Sequence, residues 1–351
     1  MKYYLKEEFL HDVNAKNAGN KARNDVESIV KEEGYHPLVL SVDNWYQMST
    51  LAAQRHKAKA FGQALDQLKQ GDELLIQFPM LHHSFFSTHL VKKAQKRGIK
   101  VYLLIHDLEV LRHANMTSLP LKHRIRMYLQ EASFLKAADG IIAHNPVMKS
   151  VLVDKGIAED KIVSLGIFDY LIPNFQEKIV QTKDQPMIVA GNLAQEKAGY
   201  LYKLPANPAY NLYGVGFDES RALENETYFG SFLPDELPVA LEGGFGLVWD
   251  GDSVETCSGV FGEYLRYNNS HKASLYLASG FPLVVWKQSA LSHFVLVKEC
   301  GIAVESLHDL PQVIEELTLD DYQTLLENTK RVGKEIREGY YLRTALKQLK
   351  M

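Results

Sequence analysis

His106-Asp107-Leu108-Glu109 sets an imidazole and two carboxylates directly after the apolar run Ile99–Ile105. A carboxylate there can take a proton from an attacking hydroxyl, and a neighbouring imidazole can position it. A capping role for Asp107 and a satisfied core role for His106 weigh about as much; the strand-end position favours chemistry. Gly191-Asn192-Leu193 follows a second apolar run, Met187–Ala190, with Lys197 just beyond. Turn N–H groups and a lysine can hold a phosphate, but one glycine is a weak fingerprint and a plain strand-exit turn stands beside that reading. Asn268, Asn269 and Lys272 precede a helical run that Gly280 closes. A lysine in a first helical turn opposes the helix dipole unless an anion sits there, although a solvated lysine costs only about a few tenths of a kcal/mol.

Two further stretches carry weaker signals. Asn14–Asn20 (NAKNAGN) precedes a helix expected from about Ala22 to Glu32. Its amides suit contact with an acceptor through Asn17, Gly19 and Asn20, or simply a loop leading into the helix. Asp250-Gly251-Asp252 spells D-x-D, a metal–diphosphate clamp in some transferases and ordinary turn chemistry elsewhere; we read it as a turn, without metal. The His residues show no HExxH or Cys/His metal spacing, and neither a GxxxxGK[ST] loop nor a GxSxG elbow occurs.

The elements that must position these residues alternate. Leu38–Val42, Glu73–Phe78, Ile99–Ile105, Gly140–Ala143 and Lys161–Val163 read as strands. Between them run helical patterns, one through Leu51, Ala58, Phe61, Leu65 and Leu68, with Gly71 placed to stop it. Asn145-Pro146 is a cap followed by proline at the first helical position. Apolar strands alternating with helices imply parallel sheets covered on both faces, with ligands at the strands' carboxyl ends. The polar stretch Tyr170–Gln185 reads as a linker, after which the alternation resumes up to a helical tail from Leu325 to Leu349, weakened at Gly339.

The chain has 351 residues, too many for one ordinary core. Lys plus Arg number 39 and Asp plus Glu 43, a net charge of −4 that argues against a duplex nucleic-acid partner. Two cysteines, Cys257 and Cys300, exclude a disulfide scaffold. The N-terminal residues show no signal-peptide run, and no stretch approaches the roughly 18 apolar residues of a membrane span. A cytoplasmic setting is expected, with peripheral contact at the inner membrane face left open.

The run from Lys272 through Gly280 to Pro282 and Val284 resembles the sugar-nucleotide segment of GT-B glycosyltransferases. Five more segments, NAGNKARNDV (Asn17–Val26), QFPMLHH (Gln77–His83), IHDLE (Ile105–Glu109), LGIFDYL (Leu165–Leu171) and GFGLVWDGD (Gly244–Asp252), look like one bacterial group within that class. It holds galactofuranosyltransferases and the glucosyltransferases that extend N-acetylglucosamine on serine-rich-repeat adhesins. The resemblance implies an α/β GT-B fold of two Rossmann-like parallel-sheet domains facing a cleft. An N-terminal acceptor domain (1–170), a linker (171–185), a C-terminal donor domain (186–330) and a C-terminal helix (331–351) packing back on the first domain are expected.

The donor implied is a UDP-sugar, held by Gly191, Asn192, Lys197, Phe232, Asn268, Asn269 and Lys272. Lys197 and Phe232 stand where the adhesin group has an arginine and a tyrosine, so one fork and one hydroxyl are lost. Many GT-B enzymes place a ribose-binding glutamate where this chain has Leu275; Asn268, Asn269 or Glu263 are the substitutes considered. Asp107 is the expected base, with His106 positioning it. The expected acceptor is a glycosylated Ser/Thr-rich polypeptide, alternatively a lipid-linked saccharide of surface polysaccharide synthesis; a catalytically silent nucleotide-binding subunit is the third reading. No metal or other cofactor is expected, and a homo-oligomer, tetramer or dimer, is.

Overall fold

A computed structural model describes residues 1–8, 18–43, 45–113, 130–177 and 181–351. The first half of the chain forms β1 (Lys2–Glu8), α1 (Ala18–Glu32), β2 (His36–Ser41), α2 (Thr50–Asp66), β3 (Glu73–Phe78), α3 (Ser87–Lys96), β4 (Lys100–Ile105), α4 (Glu109–Arg112), α5 (130–137), β5 (Gly140–Ala143), α6 (Pro146–Asp154) and β6 (Ile162–Ser164). The strands form one parallel sheet in the order β2-β1-β3-β4-β5-β6. β3 and β4 read as unbroken apolar runs because helices cover both faces; Leu74, Leu75, Ile76, Val101, Leu103 and Ile105 are all fully buried.

β1 has no counterpart in the pattern reading. Lys2, Lys6, Glu7 and Glu8 interrupt its apolar residues, yet it lies between β2 and β3 and buries Tyr4 and Leu5. Its polar carboxyl end is used: Glu7 accepts from the backbone N–H groups of Leu81 (3.0 Å) and His82 (2.7 Å). Gly71 does not stop α2, which ends at Asp66 with Gln67 as its cap; at φ +87° it shapes the turn into β3 instead. Asn145 does cap α6, its side chain accepting from Met148 N–H at 2.9 Å.

The second half forms β7 (Met187–Asn192), α7 (Gln195–Ala198), β8 (Tyr210–Val215), β9 (Glu226–Tyr228), α8 (Leu237–Ala240), β10 (Phe245–Val248), α9 (Gly259–Tyr264), α10 (His271–Ala278), β11 (Leu283–Trp286), α11 (Ala290–Lys298), β12 (Gly301–Val304), α12 (Leu310–Glu316), α13 (Leu319–Arg337) and α14 (Tyr340–Gln348). Its sheet is also parallel, in the order β12-β11-β10-β7-β8-β9. The order turns back between β7 and β10, the place where open α/β sheets take ligands.

These sheets belong to two compact units that are not contiguous in sequence. Unit 1 holds Val26–Leu165, with β1 and Leu342–Met351. Unit 2 holds Gly166–Tyr341, together with α1 through Asp25. The core of unit 2 is aromatic: Trp249 and Trp286 meet edge to face at 6.5 Å, with Tyr200, Tyr210 and Phe245 fully buried beside them. α10 is buried from Ala273 to Ala278, and its Tyr276 hydroxyl accepts from Ala190 N–H at 2.6 Å. Gly246 makes this approach possible, since a Cβ there would meet the Tyr276 ring at 2.2 Å.

Candidate active site

In unit 1 the strand end after β4 is the centre of the charged groups. His106 N–H donates to Phe78 O at 2.7 Å, and its Nε2 meets Gln77 Oε1, at the end of β3, at 2.7 Å. Arg112 reaches back over α4 to Asp107 Oδ1 at 2.6 Å and Glu109 Oε1 at 2.7 Å. His113 Nε2 lies 3.1 Å from the other oxygen of Glu109. Arg112, which with Lys122, Arg124 and Arg126 makes up the basic residues that could serve a peripheral membrane contact, is therefore engaged by two carboxylates. Lys122, Arg124 and Arg126 lie outside the described residues.

Two buried groups hold this turn, and the sequence reading contains neither. Glu131 of α5 accepts from the N–H groups of Glu109 (2.7 Å) and Val110 (3.0 Å), capping α4. Burial first, with Glu109 and Asp107 adding repulsion, pushes its carboxyl up to about 7. His144, after β5, hydrogen bonds to the backbone of Ile105 and His106, and burial lowers its imidazole to about 4. The available signal was a carboxylate on an apolar helix face: Phe134, Leu135 and Ala138, at helical spacing from Glu131, are all buried.

In unit 2, β7 runs on through Gly191 and Asn192, which pair with Gly214 and Val215 of β8, so the turn begins two residues later than the sequence suggests. Asn192 Oδ1 accepts from Ala194 N–H at 2.9 Å, and Lys197 follows on α7 with its Nζ 5.4 Å from the Phe261 ring centre. Lys272 stands in the first turn of α10 and donates to Trp249 O (2.9 Å) and Asp250 Oδ1 (2.8 Å). The Asp250-Gly251-Asp252 turn joins the two lysines, because Gly251 N–H also donates to Lys197 O at 2.7 Å. Gly251 has φ +115°, and a Cβ there would lie 2.4 Å from Ser258 O, so no other residue fits.

The D-x-D carboxylates are both engaged within the chain. Asp250 takes Lys272, and Asp252 accepts from Ser258 Oγ at 2.6 Å. Among the described residues no group of three or more His, Cys, Asp or Glu is placed to hold a metal ion. No helix of the described residues is long and apolar enough to cross a membrane.

The other expected donor residues occupy different settings. Phe232 packs 6.1 Å from Tyr213, whose ring stacks on Phe229 at 4.9 Å. Asn269 is buried and gives its amide to Gly166 O at 2.7 Å. Asn268 Oδ1 is buried without a partner among the described residues. Glu263 pairs with Arg266 at 2.9 Å.

Gly19 and Asn20 sit inside the first turn of α1, which starts at Ala18 rather than near Ala22; Asn17 lies outside the described residues. One turn on, buried Lys21 makes a cluster that the sequence did not reveal. Its ammonium reaches Leu171 O at 2.7 Å, Asp235 at 2.8 Å and Asp25 at 2.9 Å. Tyr170 donates to Pro234 O at 2.8 Å beside it, so the start of the expected linker is packed into unit 2 rather than solvated. Burial, against the pull of Lys21, raises Asp25 to about 6. His271, between Tyr170 and Phe168, is lowered to about 4 by burial and then by Lys21.

Two parallel six-stranded α/β units, with cationic groups at the sheet reversal of the second, define a GT-B glycosyltransferase. Solved structures agree on the fold: HepE of Anabaena in complex with UDP superposes with a TM-score of 0.54 over the whole of both chains, at 11% identity. The glucosyltransferase 3-like N-terminal domain matches residues 2–167 and the C-terminal domain of that family residues 187–349. The chain is 33% identical to the beta-1,6-galactofuranosyltransferase WbbI of Escherichia coli, over 97% of each chain. It is 27% identical to glucosyltransferase 3 of Streptococcus gordonii, over 93% of this chain and 92% of that one. This protein belongs to the glucosyltransferase 3-like family of glycosyltransferases.

Proposed function

We propose that the protein transfers a hexosyl unit from a UDP-sugar to a saccharide hydroxyl, without a metal ion. The observation that carries this reading is the pair Lys197 and Lys272, joined by the 249–252 turn at the sheet reversal of unit 2. In the reaction, the acceptor oxygen bonds to the anomeric carbon as the bond from that carbon to the diphosphate oxygen breaks. Asp107 takes the acceptor's proton, with His106 beside it in sequence held by Gln77, and UDP departs with the electron pair. The two lysines stabilise the charge on the departing diphosphate; one such group is typically worth about 2.7–4 kcal/mol of barrier. The engagement of Asp250 and Asp252 with Lys272 and Ser258 supports the metal-free reading.

The higher identity to a galactofuranosyltransferase favours galactofuranosyl transfer, for which the sequence resemblance implies a surface polysaccharide precursor as acceptor. The streptococcal glucosyltransferases 3 favour the second reading, glucosyl transfer, with the N-acetylglucosamine-bearing adhesin that the sequence resemblance implies as its acceptor. The testing experiment is calorimetric titration with UDP, UDP-galactofuranose, UDP-glucose and UDP-N-acetylglucosamine, with and without chelator. Saturable UDP binding that survives chelation, with one sugar preferred, is the expected result. Absence of binding to all four removes the donor site built on Lys197 and Lys272, and binding without turnover leaves a silent subunit.

A further inference from the structure

The Lys272–Asp250 pair raises a question of charge. Both side chains are largely withdrawn from water, at 14% and 7% exposure, and the ammonium has a second acceptor in Trp249 O. A buried ion pair is poor at stabilising a fold, because desolvation offsets the attraction. Asp250 is nevertheless held with little freedom. The glycine at 251 admits the backbone of Ser258, and a Cβ at Gly262 of α9 would lie 2.7 Å from Asp250 O. The carboxylate is thus built into the turn that also fixes Lys197.

We propose that Asp250 is a positioning residue that sets how tightly the site holds a nucleoside diphosphate. This rests on the donor reading above. With the site empty, Asp250 balances the charge of Lys272 and spares the fold an uncompensated buried ammonium. A diphosphate on Lys272 lies close to that same carboxylate and is repelled by it, because like charges a few ångströms apart in a poorly screened setting interact strongly. The pair therefore fixes the lysine where the leaving group forms and limits retention of the UDP product. Lys197, resting on the Phe261 ring with no carboxylate partner among the described residues, supplies the attraction that is not offset.

The test is calorimetric titration of wild type, Asp250→Asn, Lys272→Met and the double variant with UDP and with uridine, alongside steady-state kinetics. Asparagine keeps an oxygen for Lys272 and removes the charge. Asp250→Asn is expected to bind UDP about tenfold more tightly or better, with uridine binding unchanged. Its KM for the donor and its kcat should both fall, as product release slows. Its ligand-free melting temperature should drop, and UDP should raise it by more than in wild type. The tightening should vanish in the double variant.

A purely structural Asp250 gives the opposite sign, weaker UDP binding, and that result overturns the proposal, as does unchanged affinity. Wild type that binds no UDP sinks the donor reading itself, a distinguishable failure. If Asp250→Asn does not fold, Asp250→Ser carries the same predictions.

Discussion

The two units treat their charged groups in different ways. In unit 1 the acid–base candidates sit on a partly exposed turn, where Asp107, Glu109 and Arg112 share charge and buried Glu131 and His144 clamp the backbone from beneath. In unit 2 the cations stand on a rigid frame whose close contacts depend on glycine, and one of them is buried with its own counter-ion. Proton transfer needs a group whose protonation is adjustable, so titratable neighbours surround it. Stabilising a leaving group needs fixed charge, so packing surrounds it.

The sharpest way to break this comparison is Asp107→Asn. The shape of the turn and its Arg112 contact are largely kept while the proton acceptor is lost, so kcat should fall about 10²–10⁴-fold with donor affinity unchanged. An unaltered kcat would move the base elsewhere in the protein. Next comes Lys272→Ala, expected to lower kcat/KM by about a hundredfold or more while the folded state persists by circular dichroism. A near-normal rate would remove Lys272 from the chemistry.

Gly246→Ala tests the frame of unit 2 itself. The new methyl meets the Tyr276 ring, so the variant should lose about 1–3 kcal/mol of stability in denaturant titrations. It should also shift α10 and with it Lys272, raising the donor KM more than it lowers kcat. Equal stability would mean that α10 is less tightly packed than the contacts indicate.

The smallest effect concerns acid. Burial holds His83 and His144 in unit 1, and His271 in unit 2, near 4, below the ordinary 6.5. Each adds stability that is full above 6.5 and is lost as pH falls towards 4. Glu131, raised by burial to about 7, and Asp25, raised to about 6, act the other way: their contribution is full at low pH and lost as pH rises. Burial also raises the Glu226 carboxyl, so among the described residues unit 1 has two such losing groups against one recovering group, and unit 2 has one against two. Hydrogen exchange between pH 6.5 and 4.5 should show unit 1 losing protection first. Loss first in unit 2 would contradict that balance.

Much of the frame was legible in the residues. β3, β4, β5, β7, β10 and β11 are buried on both faces, so their apolar runs announce themselves. β1 was not legible, because its charged residues serve contacts at its carboxyl end with a distant loop. Strand ends pointed to Asp107 and Lys197, since ligand chemistry in such sheets gathers there, and a lysine set against a helix dipole pointed to Lys272. His144 and Lys21 gave no local signal, and Glu131 only its place on an apolar helix face, because each is defined by partners far along the chain or by the depth at which it is buried.

What the sequence determined by itself is the alternation of elements, hence two parallel sheets, and the residue types at their carboxyl ends. Periodicity and glycine placement are local properties, and they survive being read one residue at a time. What only the tertiary structure decided is how those residues are charged and held. Asp250 and Lys272 are 22 positions apart, and nothing in either neighbourhood says that one balances the other. Likewise α1 through Asp25 joins the second unit because Lys21 finds its carbonyl and carboxylate partners there. Charge compensation and desolvation depend on distance in space, and folding alone sets that distance.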